Sequence, residues 1–172
     1  ATTRPETLLG DSAVAVHPED TKYKNLIGKF CQLPLVDKNI PIIADEYADP
    51  EKGSGAVKIT PAHDFNDFEV GKRHQLEFIN IFDEFAKINE NAPKRFHGLD
   101  RFEARKLILE ELTQLGLLIK EEKQEMVIPY GDRSGVIIEP WLTDQWFCNA
   151  KKLAIDPIKS VKENITTFVP KN

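Results

Sequence analysis

The alternation of apolar and polar positions predicts mostly short strands along this chain. The clearest case is the run 56–60, AVKIT, whose period of two is typical of a half-buried strand. Pro61 should end that strand, because proline has no N–H to donate to a neighbouring strand. Similar patterns predict strands at 13–16, 30–36, 40–44, 78–82, 117–119, 125–128, 136–139 and 167–169, with a turn at 37–39.

Helical spacing occurs in three longer stretches, besides one helical turn expected within 19–27. The first, 64–75, follows the proline that ends the central strand. The strongest is 100–116, in which Asp100 suits the N-cap, Glu103 can complete a capping box and Gly116 suits the C-terminal stop. The third, 149–164, is weakly helical and is interrupted by Pro157. Many short strands with a few helices between them predict an α+β fold, with a barrel-like mixed β-sheet core and a few peripheral helices.

Composition and charge narrow the possible partners. A net charge of -5 argues against a broad nonspecific grip on nucleic acid, although a pocket could still accept one nucleotide end. Cys31 and Cys148 match no zinc spacing, which favours a reducing compartment, and we therefore expect the cytoplasm. No apolar run approaches the ~20 residues that span a bilayer, so no membrane partner is expected. The chain starts inside a motif, and we interpret it as a fragment of a longer protein.

Candidate chemistry is concentrated where the central strand ends and the first helix begins. Lys58 and Thr60 share one face of the strand, because side chains alternate along it. His63 follows, and Asp64 and Asp67 are three apart, so they share one face of the helix. The pattern therefore predicts that a cation, a hydroxyl, an imidazole and two carboxylates meet in one small volume.

These residues also have other interpretations, either structural or as a metal site. Asp64 suits a helix N-cap, whereas Asp67 should turn toward the strand end. Lys58 and Thr60 could lie on the solvent face of the strand, the commoner outcome for an isolated lysine. His63 with the two aspartates could also belong to a metal-dependent hydrolase, but the other histidines have no ligand spacing. We therefore predict no metal and no cofactor, and hydrolysis by a positioned water rather than by a protein nucleophile.

Two motifs carry a family resemblance. Residues 1–11, ATTRPETLLGD, and 53–74, GSGAVKITPAHDFNDFEVGKRH, resemble two blocks of the editing domain inserted into class I aminoacyl-tRNA synthetases. The wording PAHDFND is that of the valyl members, and 130–147, YGDRSGVIIEPWLTDQWF, resembles their return segment. The resemblance implies an editing domain at 1–148 and a return segment toward the catalytic domain at 149–172. The HIGH-type and KMSKS-type signatures of the catalytic domain are absent, so ATP would be used only there.

The resemblance implies post-transfer editing, in which threonine wrongly attached to tRNA(Val) is hydrolysed from the tRNA 3′ end. Threonyl-adenylate is a further candidate substrate. Valine and threonine are nearly isosteric, so a hydrophobic synthetic pocket rejects threonine weakly, and a second site that needs a hydroxyl discriminates better. The implied partners are the aminoacylated 3′ end of tRNA(Val) and the rest of the parent synthetase.

The resemblance also implies roles for single residues. Asp67 matches the position that holds the substrate ammonium group, and Thr7 matches a wall of the pocket. His63 has a supporting role. The implied catalytic residues are Asp67, Lys58 and Thr60, and the implied substrate-binding residues are Thr3, Arg4, Thr7, Asp64 and His63. Three alternatives stay open: an isoleucyl- or leucyl-type editing domain, a noncatalytic module that binds the tRNA 3′ end or adenosine, and a metal-dependent hydrolase that a chelator would inhibit.

Overall fold

The computed structural model describes residues 2–123, 125 and 127–170. It divides into two compact units, Ala1–Leu142 and Thr143–Asn172. The first unit holds the sheet, the two longer helices and the two motif blocks 1–11 and 53–74. None of the helices in the described part of the chain is both long and apolar enough to cross a membrane.

A four-stranded open sheet organises the first unit. Its strands are β1 (Ala13–Val16), β2 (Phe30–Leu33), β3 (Lys38–Ala44) and β4 (Ala56–Ile59), in the order β2-β3-β1-β4. The β1–β3 pair is parallel, whereas β1–β4 and β2–β3 are antiparallel. The predicted α+β class and mixed sheet are confirmed. The barrel-like core is not confirmed, because the sheet does not close.

The turn between β2 and β3 lies earlier in the chain than predicted. Residues 34–37 form the turn, and Lys38 and Asn39 already belong to β3. Pro34 explains the shift, because its missing N–H ends the β2 ladder at Leu33. Leu35 then takes a left-handed conformation, with φ of 66°.

Several predicted strands are wrong. Residues 78–82, 117–119, 136–139 and 167–169 form no strand, and their only ladder contacts are the isolated bridges Phe82↔Ile88 and Tyr130↔Ile137. The prediction at 125–128 includes Met126, which lies outside the described residues. Ile81 and Phe82 are almost fully buried, so their apolar character serves the packing of extended chain on a helix rather than strand pairing.

The predicted helices are confirmed to within two residues at most ends. Helix α1 is Phe65–His74 with Asp64 as N-cap, and α2 is Arg101–Gln114 with Asp100 as N-cap. In the second unit the weak stretch forms two short helices, α3 (Ala150–Leu153) and α4 (Ile155–Lys162). Pro157 lies in the first turn of α4, where its missing N–H costs no helical hydrogen bond.

Two apolar clusters hold the first unit together. One joins the sheet to α1 through Ala13, Ile59 and Val70, and the other packs Leu9 and Phe82 against α2 and its neighbours. The segment between Leu9 and Ala13 therefore passes from one cluster to the other.

A glycine lets α1 approach the end of β4 closely. A Cβ at Gly71 would lie 2.7 Å from Cβ of Pro61, so a side chain there would push the helix off the strand end. This close approach brings the start of α1 to the residues that follow β4.

Candidate functional site

All eight residues singled out from the sequence line one cavity of about 320 Å³. Its volume suits a small ligand or the end of a larger one. The lining comes from the threonine-rich segment, from β4 and from the start of α1. It comprises Thr2, Thr3, Arg4, Thr7, Tyr47, Val57, Lys58, Thr60, His63, Asp64 and Asp67.

Lys58 organises the floor of this cavity. Its Nζ donates to Oγ1 of Thr7 and to Oδ1 of Asp11, both at 3.1 Å, and also to Oγ1 of Thr60. These contacts use all three donors of the ammonium group. The alternative that Lys58 lies on the solvent face of β4 is wrong, because its side chain is only 22% exposed.

Asp11 belongs to this floor, and sequence reasoning missed it. Its Oδ1 accepts a hydrogen bond of 2.5 Å from the Thr60 hydroxyl, in addition to the bond from Lys58. Burial raises the pKa of Asp11 to about 6, although Lys58 and Thr60 pull it down. The available signal was its place at the end of the first motif. The pairing of β1 with β4 brings the residues before β1 to the end of β4, and the hydrogen bond from Lys58 shows that Asp11 faces it.

The two aspartates of α1 have different surroundings. Asp64 is the N-cap, and its Oδ1 accepts from the backbone N–H groups of Asn66 and Asp67. Asp67 turns toward the strand end as predicted, since its Oδ2 accepts from the Thr60 N–H at 2.9 Å. Burial raises the pKa of Asp67. Tyr47 lies beside Asp67 and was not predicted to line the cavity; the nearby carboxylates, after burial itself, raise the pKa of its hydroxyl.

His63 is held as a neutral ring. Its Nε2 accepts from the Ile81 N–H at 3.0 Å, so the ring proton lies on Nδ1, and the ring packs edge-on against Phe82. Burial, helped by the charges of Arg4 and Lys58, lowers the pKa of His63 to about 4. The Nε2 lone pair is therefore not available to take a proton from a ligand, and the residue supports the wall.

Arg4 and Thr3 occupy the threonine-rich side. Thr3 is exposed, whereas Arg4 donates to the His63 carbonyl at 2.8 Å and pairs with Glu139. Glu139 was not identified as a site residue from the sequence. The cavity lining carries two carboxylates, those of Asp64 and Asp67, and two cations, Lys58 and Arg4. Each cation is paired with a carboxylate outside the lining, Lys58 with Asp11 and Arg4 with Glu139, so the charges of Asp64 and Asp67 are in excess. The excess negative charge favours a cationic ligand group.

The shifted pKa values of Asp11 and His63 predict how the free energy of unfolding depends on pH. Asp11 has a folded pKa of about 6 against 3.8, so the folded state binds more protons and its contribution falls as pH rises through this window. His63 has a folded pKa of about 4 against 6.5, so its contribution rises over nearly the same window. Each amounts to roughly 3 kcal/mol, and the two oppose each other in the wild type.

The variant Asp11→Asn should remove one of these opposing contributions. Its free energy of unfolding should match the wild type near pH 4 and exceed it by roughly 3 kcal/mol near pH 7, because only the wild type must then ionise the buried Asp11 carboxyl. Denaturant titrations at several pH values measure this difference, and other titrating groups cancel in it. Parallel curves for the two proteins would contradict the raised pKa of Asp11.

Comparison with known proteins places this site in a family. The family model described as "Leucyl-tRNA synthetase, editing domain" matches residues 19–99. A valine–tRNA ligase of Pelagibacter ubique is 60% identical over 172 residues, which is all of this chain and 20% of that protein. The valine–tRNA ligase of Caulobacter vibrioides is 59% identical over 172 residues, again all of this chain and 19% of that protein. That of Legionella pneumophila is 58% identical over 170 residues, 99% of this chain and 18% of that protein.

The chain therefore belongs to the editing domains of the aminoacyl-tRNA synthetases. Within that class it is of the valyl type, because these relatives of high identity are valine–tRNA ligases. The resemblance drawn from the sequence motifs is confirmed. The chain spans about a fifth of the length of the curated relatives it matches.

Proposed function

We propose that this chain hydrolyses the ester bond of threonyl-tRNA(Val), the post-transfer editing reaction of a valyl-tRNA synthetase. The observation that carries the proposal is the convergence of Lys58, Thr60, Thr7 and Asp67 on one small polar cavity. Such a cavity offers hydrogen bonds to a hydroxyl and a counter-charge to an ammonium group. Threonyl-adenylate carries the same aminoacyl group and is a second substrate of the proposal.

Asp67 is the proposed ligand of the substrate ammonium group. One of its oxygens is committed to the Thr60 N–H, which fixes the carboxylate in place. Burial makes its attraction for a cation stronger than it would be in water. Asp64 lies beside it at the cavity and adds to the negative charge.

Lys58 and Thr60, with Thr7 at the wall, are the proposed sensors of the threonine hydroxyl. All three Lys58 donors are already paired, so a substrate hydroxyl binds there by taking the place of a protein hydroxyl. A valine methyl group that displaces the same protein hydroxyl offers no hydrogen bond in exchange, so it would leave that Lys58 donor unpaired. This difference favours threonine over valine.

The proposed chemistry uses a positioned water. The water oxygen forms a bond to the ester carbonyl carbon, the bond to the ribose oxygen breaks, and threonine leaves with the tRNA hydroxyl restored. His63 does not take the water proton through Nε2, because that atom accepts from Ile81. Lys58, Thr60 and Asp67 contribute by holding the aminoacyl group in reach of the water, while Thr3 and Arg4 lie on the side proposed for the ester and terminal adenosine.

The proposed partners are the aminoacylated 3′ end of tRNA(Val) and the rest of the parent synthetase. ATP is used in this proposal only by the catalytic domain of that parent. We place the reaction in the cytoplasm, a reducing compartment that suits the free thiols of Cys31 and Cys148.

Calorimetric binding of nonhydrolysable threonyl- and valyl-amino-adenosine tests the proposal without the body of the tRNA. We expect the threonyl compound to bind at least tenfold more tightly. A factor of ten in affinity corresponds to about the free energy of one well-placed hydrogen bond. Equal binding of the two compounds, or binding of neither, would contradict the proposal.

A leucyl- or isoleucyl-type editing domain is the second candidate, favoured by the leucyl family model that matches residues 19–99. Tighter binding of the leucyl or isoleucyl analogue would support it. Analogue binding without any deacylation of threonyl-tRNA(Val) would instead indicate a noncatalytic module. Loss of deacylation in a chelator would indicate a metal-dependent hydrolase.

A further inference from the structure

A buried set of charges connects the threonine-rich segment to residue 139. Glu139 pairs with Arg4 and with Arg101, whose Nη1 lies 3.0 Å from Oε1 of Glu139. The Glu139 side chain is only 11% exposed. Arg101 also donates through Nη2 to the Ile137 carbonyl at 2.9 Å, so the backbone that carries Glu139 is itself held in place.

Arg4 is the point at which these charges reach the cavity. The Arg4 carbonyl accepts from the Thr7 hydroxyl at 3.0 Å, and that hydroxyl accepts from Lys58 Nζ at 3.1 Å. The Arg4 guanidinium also holds the His63 carbonyl. A displacement of Arg4 therefore changes the position of Thr7 and removes one acceptor from Lys58.

The other nearby carboxylate, Glu6, is engaged elsewhere. Both of its oxygens accept from Arg105, each at 2.7 Å, and its distance to Nε of Arg4 is 3.9 Å. The close contact of the Arg4 side chain with a carboxylate is thus the one with Glu139.

We infer that Glu139 is a positioning residue for the editing reaction, because it holds Arg4 in the orientation that fixes Thr7 and Lys58 in the cavity. The inference rests on the proposed function. Glu139 does not line the cavity, so the proposal gives it no contact with the substrate. Without its charge, Arg4 and Arg101 would lose the carboxylate that lies between them, and their mutual repulsion would displace Arg4.

The test is Glu139→Gln in the full-length enzyme that contains this chain, because the amide keeps the shape and removes the charge. In the deacylation of threonyl-tRNA(Val) we expect kcat to fall about tenfold and KM to stay within about twofold. Glu77→Gln is the matched control. Glu77 also pairs with a cation, Lys38, at 2.6 Å, but its side chain is 69% exposed, and kcat should not change.

A double-mutant cycle separates positioning from general destabilisation. If Glu139 acts through Arg4, then Glu139→Gln should change kcat by less than about twofold in an Arg4→Gln background. If the double variant lost kcat by the product of the two single losses, the inference would be overturned. An unchanged kcat in Glu139→Gln alone would overturn it as well. A wild-type enzyme without threonyl-tRNA(Val) deacylation would overturn the proposed function first, and this outcome is visible before any variant is made.

A second variant covers the case in which Glu139→Gln does not fold. Arg101→Lys keeps the charge beside Glu139, but a lysine cannot serve both Glu139 and the Ile137 carbonyl with the geometry of a guanidinium. We expect kcat to fall about threefold, and this loss too should disappear in the Arg4→Gln background. A loss that persists there overturns the inference.

Discussion

Asp67→Ala should abolish measurable binding of the threonyl analogue. Asp67 is 6% exposed, so an ammonium group beside it gives up water and depends on the carboxylate for compensation. Removing one member of a buried ion pair costs about 3–5 kcal/mol, which corresponds to at least a hundredfold loss of affinity. Calorimetry with threonyl-amino-adenosine measures the change directly.

Asp67→Asn isolates the contribution of the charge. Alanine also strips the Thr60 N–H of its acceptor, whereas the asparagine oxygen can still accept from it. The asparagine variant should therefore be at least as stable as the wild type and still lose at least about a hundredfold in affinity. Glu69→Gln, on the same helix but at an exposed position, is the matched control and should bind as the wild type does. Unchanged affinity in Asp67→Asn would remove the carboxylate from the ammonium site.

Lys58→Met should reduce both selectivity and stability. A charged hydrogen bond contributes about 1.5–3 kcal/mol, so the preference for the threonyl over the valyl analogue should narrow at least about tenfold. The variant also leaves Asp11 without its cation, although the Asp11 side chain is only 3% exposed. We expect about 2 kcal/mol of lost stability at pH 7, less than for a fully buried pair, because Lys58 is partly exposed.

The double variant Asp11→Asn with Lys58→Met separates the two effects. It contains no unpaired charge, so its free energy of unfolding should return to the wild-type value or above it. Its selectivity should stay low, because the ammonium group that senses the hydroxyl is still absent. A preserved threonyl preference in Lys58→Met would place the discrimination at other residues, and a double variant as unstable as the single one would contradict the pairing with Asp11.

Much of the candidate site could be predicted because it is encoded locally. The period of two in β4, the break at Pro61 and the cap at Asp64 all act within a few residues. These local preferences place Lys58, Thr60 and Asp67 at one strand–helix junction, and they predict that Asp67 points to the strand end. The motif wording then indicated the family, which the comparisons confirmed.

Local patterns were less reliable for strands. The apolar run at 78–82 has the composition of a strand, yet Ile81 and Phe82 are buried against α2 and its neighbours and form only an isolated bridge. An apolar pattern reports that a segment is buried, and it does not report which element buries it. The barrel-like core was not confirmed for the same reason. Closure of a sheet depends on which segments pair with its edge strands, and an apolar pattern does not report those partners.

The sequence by itself thus determined the class of fold, the strand–helix junction of the site and the family to which the chain belongs. Only the tertiary structure brought Asp11 to Lys58, 47 positions away, and Glu139 to Arg4, 135 positions away. Contacts over such separations depend on how strands pair and clusters pack, and no local period records them. Burial in that packed structure also decided that the pKa of Asp11 is raised and that His63 stays neutral.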